Sequence, residues 1–186
     1  MIDLEEMLKI KNKSGIIVNA RYKILDLSYI DEIMRLQDNI MEQLEDKQLY
    51  APTEREEFIS YLKDGGKIIG YVDEKNELIA MAVYIKKGYE EGNYGYDLDL
   101  EGEKLLEVAQ VESTVVRSDY RGNGLQRILC EKIEDIAKSE GVKILASTAS
   151  PYNKYSVNTF IKLGYEIKKD KLKYGGLRRY VLAKEI

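Results

Sequence analysis

"VVRSDYRGNGLQRILCEKIEDIAKSEG", residues 115–141, decides how this chain is read. It opens on a β-branched run, turns through Arg121-Gly122-Asn123-Gly124, and continues with Leu125, Ile128, Leu129, Ile133, Ile136 and Ala137 along one side. Apolar residues at that spacing predict a helix over 124–140 that buries one face. A strand that becomes a helix through two glycines leaves backbone N–H groups and the positive end of the helix dipole open to a bulky anion. The same four residues also read as a plain turn, with glycines for positive φ and Asn123 as a cap. Two other anion cradles do not fit. A Walker loop requires Lys and then Ser or Thr after its last glycine, and Gly124 is followed by Leu125-Gln126. A dinucleotide fingerprint requires a third glycine where Arg127 stands.

Outward from this stretch the pattern alternates. Upstream, 15–28 reads as a strand, 28–44 as a helix with Ser28 or Asp31 near its start, and 52–66 as a second helix opened by Pro52 and closed by glycines. The segment 67–87 carries two apolar runs joined by Asp73-Glu74-Lys75-Asn76-Glu77, a hairpin pattern. Residues 88–104 are rich in Gly, Tyr and acid and read as a loop that lines a site, followed by a strand over 105–116. After the helix come a strand at 142–148, a helix near 153–163 ended by Gly164, and strands at 165–170 and 178–186. This order predicts an α/β (α+β) fold: a mixed central sheet of about six to seven strands flanked by about four helices.

Composition narrows the function. With 186 residues, 44% apolar and 33% charged, the chain suits a single domain over 1–186, with residues 1–15 as an N-terminal extension. A net charge of −4 argues against nucleic acid as partner and fits small cationic substrates better. Histidine is absent, which removes Ser-His and Cys-His nucleophile pairs and leaves no expectation of a metal site. The single cysteine, Cys130, borders the apolar helix face and is read as packing. No apolar run reaches the roughly 18–20 residues that cross a bilayer, and the first residues lack a signal-peptide core, so the expectation is a cytoplasmic protein without a membrane partner.

The segment "VVRSDYRGNGLQRIL" resembles the acyl-coenzyme A loop of the GNAT superfamily of N-acetyltransferases, whose pattern Arg/Gln-x-x-Gly-x-Gly/Ala is met from Arg121 through Gly124 to Gln126. Gln126 departs from the small last residue of that pattern. Downstream, "ASPYNKYSVNTFIKLGYEI" is similar to the family's second motif, with Asn153, Ser156, Phe160, Gly164 and Tyr165 in its places. Together the motifs make 105–170 the expected acetyl-CoA-binding core. The resemblance implies transfer of an acetyl group from acetyl-CoA, as co-substrate, directly to a primary amine of a small molecule or peptide. A non-catalytic acyl-CoA sensor or partner-binding domain on the same fold is the alternative. Partners would be acetyl-CoA and the amine acceptor, with a homodimer left open.

The resemblance also implies roles. The cofactor pyrophosphate would lie on the backbone of Arg121, Gly122, Asn123, Gly124, Leu125, Gln126 and Arg127, with both guanidiniums near the phosphates. Its pantetheine arm would run beside Thr114, Val115 and Val116, where a bulge or splay would free a main-chain N–H for the developing oxyanion. Asn153 would hold that arm or cap the next helix, with Ser156 beside it. An alkyl amine is largely protonated near neutrality, its pKa being about 10.4, so a base is needed. Strict alternation would put Gln110, Glu112 and Thr114 on one strand face, and Glu112 is the preferred base, Glu107 the second choice. Glu112 also reads as a simple ion-pair partner. The family's acidic tyrosine is replaced by Phe160, which leaves Tyr155, or Tyr152, as donor to the leaving thiolate or as a surface residue. In the family the acceptor enters where the acidic, tyrosine-rich segments 36–52 and 88–103 lie; the same segments also read as a solvated acidic surface.

Overall fold

The computed structural model describes residues 6–186; residues 1–5, the start of the expected N-terminal extension, lie outside the described residues. Among the described residues eight strands form one sheet: β1 (Met7–Lys11), β2 (Ile17–Leu25), β3 (Lys67–Val72), β4 (Leu78–Ile85), β5 (Val108–Val116), β6 (Ile144–Ala149), β7 (Glu166–Lys173) and β8 (Leu177–Glu185). Their spatial order is β1-β2-β3-β4-β5-β6-β8-β7, and every neighbouring pair is antiparallel except β5 with β6. The strand beyond the expected count is β1, which lies within the segment read as an extension and pairs with β2 from Met7↔Arg21 to Lys11↔Ile17. Its alternation is masked by lysines, and of its five side chains only Ile10 is buried.

Four α-helices cover the sheet: α1 (Ile30–Glu42), α2 (Arg55–Lys63), α3 (Leu125–Ser139) and α4 (Lys154–Lys162). The period-2 pattern of β3 and β4 sends alternate side chains to opposite layers. Ile68, Met81, Val83 and Ile85 pack with Ile33, Leu36, Ile40 and Phe58 of α1 and α2. Ile69, Tyr71, Ala82 and Tyr84 pack with Leu129, Cys130 and Ile133 of α3. A short 3-10 turn capped by Asp26, whose carboxylate accepts from Ser28 N–H, leads into α1, so neither Ser28 nor Asp31 is the cap. The strand expected from residue 105 begins at Val108, because Gly102–Glu107 form a 3-10 helix.

Candidate active-site cleft

The cleft is made by a strand that stops pairing. β5 runs parallel to β6 only over Val108–Val111 against Ile144–Ser147, whereas β6 continues against β8 as far as Ala149↔Tyr180. Beyond Val111 the two strands diverge. At the same point β5 bulges: Val83 faces Glu112 and Met81 faces Val115, so Ser113 and Thr114 together oppose one residue of β4. Ser113 adopts φ of 45°, a left-handed conformation that gives the extra residue its room. The bulge inverts the alternation downstream. Glu112 stays on the α1/α2 side, while Thr114 turns toward α3, within hydrogen-bonding reach of Cys130. The expectation that Gln110, Glu112 and Thr114 share a face therefore fails at Thr114, because one inserted residue reverses the pleat.

Distant residues hold the bulge. Gln37 of α1 is buried; its amide donates to Thr53 carbonyl (2.8 Å) and its carbonyl oxygen accepts from Thr53 N–H (2.9 Å) and the Tyr50 hydroxyl (2.9 Å). Thr53 Oγ1 in turn lies 2.9 Å from Ser113 Oγ. Every polar atom of the Gln37 amide head thus serves to lay residues 50–53 over the bulge.

Where the turn enters α3, Gly122 and Gly124 have φ of 93° and 71°. Gly124 is the N-cap and no side chain caps the helix. A Cβ at Gly122 would meet nothing within 4 Å, and one at Gly124 only Arg127 Nη2 at 4.0 Å. The glycines face open space. Asn123 does not cap: its side chain accepts from Lys11 N–H (3.0 Å) and donates to the carbonyls of Lys11 (2.9 Å) and Tyr120 (2.8 Å), tying the turn to β1. Arg127 pairs with Glu131 one turn along the helix (2.8 Å). Buried Gln126 donates to Ser156 Oγ (3.0 Å). The departure from a small residue here joins α3 to α4. Asn153 caps α4 by accepting from Ser156 N–H (3.2 Å). A cavity of about 310 Å³ runs along this side, lined by Thr114, Val115, Val116, Arg121, Gly122, Leu125, Gln126, Asn153, Tyr155 and Ser156.

Through the splay a second cavity, of about 160 Å³, holds Glu112 with Tyr50, Glu57, Tyr61, Tyr94, Tyr174 and Arg179. Gln110 is the link to the 88–107 loop: its carbonyl oxygen accepts from Tyr94 N–H (2.6 Å) and its amide donates to Glu112 Oε1 (2.8 Å). Burial pushes the Glu112 carboxyl above its usual range; hydrogen bonds from Tyr94 and Gln110 and the charge of Lys87 oppose this, and Glu57 adds to it. Tyr94 and Tyr174 share a hydrogen bond, and the Tyr174 hydroxyl lies 2.9 Å from Thr148 Oγ1. Burial pushes the Tyr174 phenol up to about 12.

The other sequence candidates lie elsewhere. Glu107 is exposed on the 3-10 helix. Tyr155, 59% exposed, lines the cavity beside Arg121 and not the one holding Glu112. Tyr152 sits against the Arg178 guanidinium on the surface. Phe160 is buried edge-on against Tyr165 at 5.0 Å. Cys130 is buried, and desolvation pushes its thiol up to about 12. In the acidic loop, Asp97 pairs with Lys171 (2.6 Å) and Lys173 (2.5 Å), and Asp99 with Lys169 (2.6 Å). Those charges are neutralised by β7, leaving Glu57 and Glu112 as the carboxylates of the cavity. Arg179 and the tyrosines at 50, 61, 94 and 174 carry no sequence signal: they come from four separate segments, and fifteen tyrosines dilute any one. Among the described residues no helix is long and apolar enough to cross a membrane.

A family profile for the acetyltransferase (GNAT) family matches residues 23–165. A search of curated proteins gives no match. Solved structures match along most of their length. An N-acetyltransferase from Staphylococcus aureus superposes with a TM-score of 0.67 at 15% identity, covering 90% of this chain and 98% of that one. The yncA protein of Salmonella typhimurium, solved with its cofactor acetyl-CoA, gives 0.67 at 14%, covering 90% and 94%. The GNAT domain of PAT from S. lividans gives 0.66 at 16%, covering 97% of each. At these identities the likeness is one of fold.

Proposed function

The chain belongs to the acetyltransferase (GNAT) family, and from that premise we propose that it moves the acetyl group of acetyl-CoA directly onto a primary amine of a small molecule or peptide. The observation that carries this reading is the shared splay: the uncapped start of α3 and the cavity of Glu112 open on the two sides of one gap between β5 and β6. Acetyl-CoA fits the residues present, since glycines whose Cβ positions are open adjoin free helix N–H groups. It would bring a thioester already activated toward amines.

The backbone from Arg121 to Arg127 would hold the pyrophosphate, with Arg121 nearer at hand because Arg127 is shared with Glu131. The backbone of Thr114, Val115 and Val116 offers the arm a strand edge that β6 does not use beyond Val111. Asn153 and Ser156, one turn of α4 apart, would flank it. Glu112 would take one proton from the incoming ammonium so that the free amine can attack the acyl carbon; as the carbon–sulfur bond breaks, the new amide nitrogen gives up a second proton, which restores the phenol that protonates the sulfur. The sulfur needs a proton in exchange. Tyr155, on the coenzyme side, is the proposed donor, and the protonated Tyr94–Tyr174 pair is a second source. The 105–170 core within a single cytoplasmic domain belongs to this reading, which leaves a homodimer open.

The test is release of free thiol from acetyl-CoA with a broad panel of amines. Turnover with at least one amine is expected. Tight binding of acetyl-CoA by calorimetry with no thiol released by any amine would make the chain a non-catalytic sensor.

A further inference from the structure

Arg179 is the cation of the Glu112 cavity, and the proposed chemistry gives it no task. It is 3% exposed. Its Nη1 donates to the neighbouring Arg178 carbonyl (2.8 Å), Nη2 has no partner, and no carboxylate pairs with it among the described residues. Its neighbour Arg178, by contrast, is held by Asp170 (2.6 Å) on the surface. A buried guanidinium without a counter-charge is costly, and folded proteins keep one only where something compensates it. Burial pulls the Arg179 pKa below its usual range, and only the phenols of Tyr174 and Tyr94 push back. The position follows from the sheet: β6 pairs with β8 as far as Ala149↔Tyr180, so Arg179 stands just past the end of that ladder, where the cavity begins.

We propose that the acceptor is an amino acid or a similar zwitterion, whose carboxylate is received by Arg179 while its amine is presented to Glu112. This rests on the transferase reading above and names its substrate class. A planar guanidinium matches a carboxylate in shape and charge, and both charged ends of a zwitterion meet their opposites in one small cavity. The coenzyme's phosphates have their own place at Arg121 and the start of α3, in the neighbouring cavity, from which Arg179 is absent. A simple polyamine would leave Arg179 bare and add a second cation beside it.

The experiment compares three forms of each acceptor, the common amino acids in both enantiomers, their carboxamides, and the matching decarboxylated amines, by thiol release and by thermal melting with coenzyme A present. For the preferred acceptor, wild type should favour the acid over its amide by about a hundredfold in kcat/KM, mostly through KM, as removing one partner of a buried charge pair does. Arg179→Gln should abolish that preference, bringing kcat/KM for the acid down to the level of its amide. Arg179→Met, which removes the buried charge, should melt at or above wild type without ligand, and the amino acid should raise the melting point of wild type only. Wild-type turnover of acid and amide at equal rates overturns the proposal, as does a lower ligand-free melting point for Arg179→Met, which would make the guanidinium structural. If no compound releases thiol, the transferase reading fails; stabilisation of wild type alone by an amino acid would still support the carboxylate site, and its absence would overturn that as well.

Discussion

Glu112, the base of the proposed reaction, sits where burial disfavours its charge. Desolvation raises its pKa, while Tyr94, Gln110 and Lys87 keep the charged form accessible. A base must be unprotonated to work, so activity should fall as pH drops through this raised pKa, on a limb lying above the ordinary carboxylate range near 4.5. Glu112→Gln should remove the limb and lower kcat by about a hundredfold, with coenzyme affinity nearly unchanged. Stability moves the other way. A group whose folded pKa is raised binds its proton more tightly in the fold, so wild-type stability declines as pH rises from the unfolded to the folded value. The Gln variant should therefore melt at or above wild type at pH 8, with the gap closing near pH 4. A variant that loses coenzyme affinity instead would show Glu112 to be structural.

In the proposed coenzyme site the helix start at α3 would act through backbone more than through side chains. Gly124 is left-handed and uncapped, and the space above it is open, so the fold tolerates bulk there except for strain. Gly124→Val should cost about 1–2 kcal/mol of stability for the left-handed conformation. It should raise the dissociation constant of acetyl-CoA by about a hundredfold or more, since the added methyls fill the anion's approach. Arg121→Ala, which leaves the N–H groups in place, should raise it only about ten- to thirtyfold. Pantetheine, which lacks the pyrophosphate, should bind wild type and Gly124→Val alike by calorimetry. Normal affinity of Gly124→Val for the intact coenzyme would reduce the two glycines to a turn.

Across the whole molecule, one carboxylate joins layers that the sequence keeps far apart. Glu140, at the end of α3, pairs with Lys67 of β3 and with Lys86 (2.8 Å), and accepts from the Tyr84 hydroxyl of β4 (2.9 Å). Burial works against its charge, but the hydrogen bonds of Lys67, Lys86 and Tyr84 prevail and hold the carboxyl down to about 2. A depressed folded pKa contributes stability above the unfolded value, and that stability is lost as pH falls from about 4.5 to about 2. Solvent screens the network, so Glu140→Gln should cost about 1–2 kcal/mol in urea unfolding at pH 7, less than the full shift implies. Its deficit should shrink steadily below pH 4.5. A deficit that stays constant with pH would assign the loss to packing at the helix end.

What the sequence determined by itself is local. Helical spacing in 124–140, the hairpin around Asp73–Glu77 and the two motifs carried by Arg121–Gln126 and Asn153–Tyr165 each depend on residues within one or two elements. Periodicity and turn chemistry act at that range. So the sheet with its flanking helices and the left-handed glycines at the start of α3 were legible. β1 escaped because a short edge strand with one buried side chain leaves almost no pattern. The tertiary structure alone decided the rest. The bulge at Ser113 reverses Thr114, and it is set by the mismatch with β4 and by Thr53, held in turn by Gln37, sixty and more positions away. The tyrosines and Arg179 meet Glu112 only because β5 and β6 part after Val111 and residues from separate regions of the chain close around the gap. Alternation along a strand is a local rule, and a cavity formed by chain crossings has no local rule to express it.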